Sequence, residues 1–146
     1  MARLLVAVLA LFLTDSLFEW AHLPGANADS LIQGRGMWGG IGVLAGLVAL
    51  AWLALEAMRA LGRLAPLLDL HKADVYGAGL GLVFAVLTAV EFAQVTSVSV
   101  FGASAGNLLD RTACAWIGLL LALAACALAL ARVVRARAAA QTPPAA

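Results

Sequence analysis

The stretch "ACAWIGLLLALAACALALA", Ala113 to Ala131, carries no charged residue. A helix that crosses a bilayer needs about 20 mostly apolar residues, and this run supplies them almost unbroken. Composition agrees with it. Hydrophobic residues make up 64% of the 146 and charged residues 12%, against about 45–50% and about 25% in soluble domains. A soluble domain of this length leaves too much of its area exposed to hide that apolar excess, so the main solvent of the chain is lipid.

Outward from this run, three further segments reach spanning length. The predicted spans are Leu4 to Leu23, Met37 to Met58, Asp74 to Val95 and Ala113 to Val134, with only Glu56 and Glu91 interrupting the interiors of the second and third. They predict an all-α polytopic membrane protein, a four-transmembrane-helix bundle with short loops over residues 1–137. A disordered cytoplasmic tail, "AAAQTPPAA", is expected over 138–146. The first span is the weakest, its unbroken apolar run being Leu4 to Leu13. With Arg3 before it and the small-x-small "ANA" at Ala26 to Ala28 after it, the segment imitates a secretory signal peptide whose cleavage would leave three spans. Asp15 and Glu19 inside an overlong cleavage region favour retention.

Basic residues in the short flanks orient such a chain. With the N-terminus inside, Arg3, Arg59, Arg63, Lys72, Arg132, Arg135 and Arg137 are cytoplasmic, against Arg35 and Arg111 outside. Both termini are therefore expected in the cytoplasm, and eight Arg to one Lys with Ala, Gly, Leu and Val dominating the rest suggest a GC-rich bacterial genome and hence a bacterial inner membrane. Trp20, Trp38 and Trp116 fall at predicted outer ends and Tyr76 at an inner one, where amphipathic rings sit at headgroup level. Trp52 lies within the second span, packing or facing lipid. The outer loops are Pro24 to Gly36 and Thr96 to Thr112, and the alternation in "VTSVSVF" (Val95 to Phe101) permits a short strand. Between the second and third spans, Pro66 breaks the inner connector.

The stretch "FLTDSLFEWAHLP" (Phe12 to Pro24) holds the candidate site. Asp15, Glu19 and His22 stand at i, i+4 and i+7, one stripe if the segment is helical. Asp15 then lies about 16 Å beyond Leu4, near the middle of a hydrocarbon core about 30 Å thick. An Asp there is unfavourable by about 2.5–3.5 kcal/mol, so it should face other helices or carry a proton. Glu91 of the third span reaches a comparable depth, predicting an intramembrane polar cluster of Asp15, Glu19, His22 and Glu91. Thr14, Ser16, Thr88 and Gln94 are its candidate hydrogen-bond partners. Such a cluster serves helix register, a proton or cation pathway, a contact with a partner membrane protein, or a metal. For metal, "EWAH" supplies one Glu-x-x-His, where di-iron bundles need two plus further Glu.

Other chemistries lack their residues. No Cys-x-x-Cys, His-Glu-x-x-His or Walker loop occurs. His22 and His71 fall on opposite sides of the membrane, which disfavours a two-histidine haem. No cofactor and no metal are expected. Cys114 and Cys126 are twelve residues apart, about 18 Å along one helix, too far for a disulfide. A net charge of +1 offers no field for nucleic acid. Glu56 and Arg59 predict a local i, i+3 pair, and Asp69 and Asp74 suit a helix start. Gly42 with Gly46 and Gly77 with Gly81 form two GxxxG packing motifs. They lie in opposite membrane halves, so each must meet a different neighbour.

The motifs "LFEW", "MWGGIGVLAG" and "RTACAWIGLLLAL" resemble those of uncharacterised small four-span membrane proteins of high-GC bacteria, a resemblance that implies the fold and no activity. An acid in the first of four spans is also similar, in architecture alone, to small multidrug transporters. The expectation is a non-enzymatic accessory or interaction component whose partners are the bilayer and either another membrane protein or a second copy. The alternative is a proton- or cation-coupled small transporter or oligomeric channel using Asp15, Glu19 and Glu91.

Overall fold

A computed structural model describes residues 1–22, 35–63, 70–100, 103–107 and 109–141. Four helices carry the fold: α1 (Ala2–Asp15), α2 (Gly42–Ala60), α3 (Leu70–Gln94) and α4 (Ala113–Gln141). Three of these, α2, α3 from Ala73, and α4, are long and apolar enough to cross a membrane. Each helix packs on its neighbour in sequence, and α4 closes back on α1.

Among the described residues, five short strands join the helices at one end. β1 (Glu19–His22) is the centre of a three-stranded antiparallel sheet, with β2 (Arg35–Gly36) on one side and β5 (Asp110–Arg111) on the other. In register, Glu19 faces Gly36 and Ala21 faces both Arg35 and Arg111. β3 (Ser97–Val100) and β4 (Ala103–Asn107) form a hairpin, β3 lying within the alternating "VTSVSVF". Because β1 follows α1 while β2 and β5 precede α2 and α4, the sheet gathers three helix ends under one cap. The end of α3 joins them: Arg111 donates from Nε to the Phe92 carbonyl (3.0 Å) and from Nη2 to that of Ala93 (3.4 Å). A guanidinium on the last carbonyls suits the negative end of a helix. Thr112 clamps α4 to β1, its Oγ1 donating to the Glu19 carbonyl (2.6 Å) and accepting the Ala115 amide (3.4 Å).

The interior is small on one helix and large on the others. α4 buries Ala115, Gly118, Ala122, Ala125, Cys126 and Ala129 and turns Leu120, Leu123 and Leu130 outward. Small faces let helix backbones approach closely in lipid, where leucines gain nothing by turning inward. Into this space project Leu5, Leu9 and Phe12 of α1, Trp52 of α2 and Phe84 of α3, all fully buried. Phe84 touches Phe12 edge-on at 4.6 Å between centroids and Trp52 at 6.0 Å. Leu44, Leu47, Leu50, Leu82, Val83 and Val86 are among the residues left on the outside. So wide an apolar exterior is a liability in water and neutral in a bilayer.

α2 starts at Gly42 and not at Met37, and three further features of the element ends depart from expectation or explain them. α1 stops at Asp15 instead of running to Leu23. Thr14 turns its hydroxyl onto the Ala10 carbonyl (3.0 Å) and Ser16 onto that of Leu13 (2.6 Å), side-chain bonds that compete with helix propagation. The following residues gain strand partners instead. α4 continues to Gln141, into the stretch expected to be disordered, as its run of alanines favours; residues 142–146 lie outside those described. Third, α2 ends on a left-handed Gly62 (φ 69°) with the Arg63 amide on the Met58 carbonyl (2.9 Å) and the Gly62 amide on that of Arg59 (3.0 Å). This pair of bonds is a C-terminal motif that favours glycine, and it breaks the helix before Pro66. The break at Pro66 itself, Asp69 and most of the first outer loop lie outside the described residues.

Candidate functional site at the two ends of the helices

The stripe of Asp15, Glu19 and His22 does not form, because only Asp15 is helical. Glu19 and His22 are exposed on β1, while Trp20 and Ala21 between them are buried. Three residues apart on a strand, Glu19 and His22 no longer share the face a helix would have given them, and a register shift between Glu19 and Ala21 interrupts the plain alternation of sides. Trp20, expected at the membrane interface, is instead fully buried beneath the sheet. Trp116 is half exposed, with its ring edge-on to Phe92, and the Arg111 guanidinium covers Phe92 at 4.6 Å from the ring centre.

Among the described residues, the two acids that are buried at this end meet different helices. Asp15 faces α4, where a Cβ on Gly118 would stand 2.8 Å from Asp15 Oδ2 and would run into the Trp20 ring. Gly118 is therefore the one residue type that admits both. The Trp20 ring and the Asp15 carboxyl thus share the space over Gly118, and neither Asp15 Oδ2 nor Trp20 Nε1 has a hydrogen-bond partner. Glu91 is fully buried, and its Oε2 accepts the Gly42 amide of α2 at 3.0 Å. A carboxylate suits this position, since the first amides of a helix lack internal partners and carry partial positive charge. Of the other expected partners, Thr14 bonds only its own helix, and Ser16 accepts the Trp38 indole N–H at 3.0 Å. Thr88 is fully buried with an unbonded hydroxyl.

At the open end, opposite the cap, a second cluster has formed. Glu56 is fully buried, and both its oxygens accept from Nη1 of Arg132 on α4, at 2.8 and 3.0 Å. Arg59 reaches Asp74 of α3 at 2.6 Å and stands 3.9 Å from Glu56. Arg132 lies 3.9 Å from Asp74. Two cations and two anions thus tie α2, α3 and α4 together. The local Glu56–Arg59 pair expected from sequence exists only at this long distance. Asp74 serves as an ion-pair partner inside the first turns of α3, not at its start.

The glycine pairs lie between these clusters. A Cβ on Gly81 would meet Trp52 at 2.9 Å, and one on Gly77 would meet Glu56 Oε1 at 3.7 Å. α3 thereby receives the two side chains that α2 presents one turn apart. On α2, a Cβ on Gly46 would meet the Trp38 ring at 2.6 Å, and one on Gly42 would meet the Met37 carbonyl and Glu91 Cγ.

Among the described residues, no group of three or more His, Cys, Asp or Glu is placed to hold a metal ion. Cys114 and Cys126 are free thiols. Comparison of the chain with family models, curated proteins and solved structures finds no match.

Proposed function

We propose that the chain is an inner-membrane protein of four spans, α1 included, with both termini in the cytoplasm, and that it acts as a non-enzymatic accessory or interaction component. Its place would be among the small four-span proteins it resembles. Support for α1 as a span comes from its two ends. Its start meets α4 at Arg135, whose Nη1 is 3.7 Å from Met1 Sδ, and its finish meets α4 at Gly118. Gly118 to Arg135 is about 26 Å of helix, most of a hydrocarbon core of about 30 Å. Leu5, Leu9 and Phe12 fill the interior between these points, which also favours retention of the segment over cleavage.

The observation that carries the functional reading is the Glu56–Arg132–Arg59–Asp74 network. These four charges in the open half of the helices pair with one another and join three helices, which serves a scaffold and obstructs a polar route. Partners of this kind of protein are the bilayer with either a second membrane protein or a second copy. A proton- or cation-coupled transporter is the second reading, favoured by Asp15 Oδ2, which is buried without a hydrogen bond.

Reconstituted vesicles separate the two. The scaffold reading expects no flux of protons or monovalent cations above empty vesicles, in wild type or Asp15→Asn. Flux that vanishes in Asp15→Asn would replace it with the transporter. Reporter fusions at the C-terminus should be active only in cytoplasmic form, and the intact mass should include α1.

A further inference from the structure

Asp15 stands one turn beyond Phe12 on α1, and Thr88 one turn beyond Phe84 on α3, both toward the cap. Because Phe12 and Phe84 touch across the interior at 4.6 Å, the next turns place Asp15 and Thr88 in a single layer. Trp20 roofs that layer, its ring 6.2 Å from Phe12, and Gly118 leaves the room for it. Asp15 is 9% exposed, and Thr88 and Trp20 are fully buried. The layer holds three polar atoms without hydrogen bonds: Asp15 Oδ2, Thr88 Oγ1 and Trp20 Nε1. Buried polar atoms are nearly always bonded, and those that are not call for a reason.

We propose that this layer is a proton-binding site, in which the Asp15 carboxyl takes up and releases a proton while the helices stay packed. The donor set fits that chemistry. An indole N–H donates only, while a hydroxyl both donates and accepts. Together they can serve the carboxylate as donors, and the hydroxyl can accept from the acid. Neither offers the set of oxygens that a hard metal cation requires. The reaction is R–COO⁻ + H⁺ ⇌ R–COOH, with no other bond made or broken.

Among the described side chains, few charges face the layer. α4 presents Gly118 and has no charged residue before Arg132, and α2 has none from Gly42 to Leu55. On α3, Glu91 lies one turn nearer the cap than Thr88, on the Gly42 amide. Glu19 and His22 on β1 are exposed, as is Asp110 of β5, and Arg111 is bonded to the end of α3. The other titratable groups on α4 near this end are thiols. With no described cation facing it, the Asp15 carboxyl is neutral when it holds a proton and an isolated buried anion when it does not.

The site is independent of flux, since a carboxyl that binds a proton without passing it on would satisfy one test and fail the other. The experiment is infrared difference spectroscopy of the full chain in lipid vesicles across a pH titration, with tryptophan emission followed in parallel. A protonated-carboxyl C=O band should disappear as pH rises, be lost in Asp15→Asn and persist in Glu91→Gln. Thr88→Val should shift its frequency or its midpoint, and the matching emission change should be lost in Trp20→Phe. Should Asp15→Asn not fold, Asp15→Glu in the otherwise native chain takes its place, and it must move the band. A wild-type spectrum without a titrating carboxyl band, or a band unmoved by either Asp15 substitution, overturns the proposal.

Discussion

The two ends of the helices bury acidic groups in opposite ways. At the open end Glu56 is fully enclosed and held by Arg132 at 2.8 and 3.0 Å, with Arg59 and Asp74 completing a balanced set. At the capped end Asp15 lies against a glycine and an indole, and Glu91 takes the amide at the start of α2. One end is held by full charges on separate helices, the other by close approach, helix-end partial charge and short strands. The contrast teaches that a buried carboxylate in this chain is tolerated for local reasons, so equal substitutions at the two ends should have unequal effects.

The largest difference should come from Arg132→Ala. It leaves Glu56 enclosed with only the more distant Arg59, and loss of one partner of a buried pair costs about 3–5 kcal/mol. Unfolding in mild detergent should show that loss. The double variant Glu56→Leu with Arg132→Met should recover most of it, because it leaves no orphaned charge. Recovery below half would mean that Arg59 and Asp74 depend on the pair more than their distances indicate.

At the capped end the sensitive position is a glycine. Gly118→Ala puts a Cβ where the Trp20 ring now lies, and overpacking of this kind costs about 1–3 kcal/mol. Gly79→Ala on α3 is the control, since a Cβ there meets nothing within 4 Å. Its better helix propensity should raise stability by about 0.5–1 kcal/mol. Equal effects at the two positions would contradict the packing described for Trp20.

A smaller loss than at Gly118 is expected at the join between cap and helices. Thr112→Ala removes both the clamp on Glu19 and the cap of α4, and loss of an N-cap hydroxyl costs about 1 kcal/mol. Hydrogen exchange should rise at Ala115 and along β1 while the Glu56 network stays protected. Faster exchange at both ends would show the cap and the network to be one cooperative unit.

Much of this arrangement is legible in the sequence, and the rest is hidden for physical reasons. The three long helices follow from apolar runs, because lipid leaves a spanning chain little choice of conformation. That rule loses its grip at "TDSLFEW", where hydroxyls bond the preceding turn and strand partners arrive from Arg35 and Arg111, far along the chain. The spacing of Asp15, Glu19 and His22 describes a shared face only while the backbone is helical. Arg132 reads from sequence as a basic flank, but its bond to Glu56 crosses from α4 to α2, and no local pattern encodes that register. The sequence puts Trp52 within a span, and only the GxxxG groove on α3 shows what receives it.

Labelling from one side of the membrane tests the central claim, that α1 crosses the bilayer with the other three helices. Ala2→Cys, Phe18→Cys and Arg137→Cys are introduced singly with Cys114 and Cys126 replaced by alanine, and sealed vesicles are treated with an impermeant maleimide. Ala2→Cys and Arg137→Cys should react from the same side, and Phe18→Cys from the opposite side. Reaction of Ala2→Cys and Phe18→Cys from one side would mean that α1 does not span, and the account would be wrong.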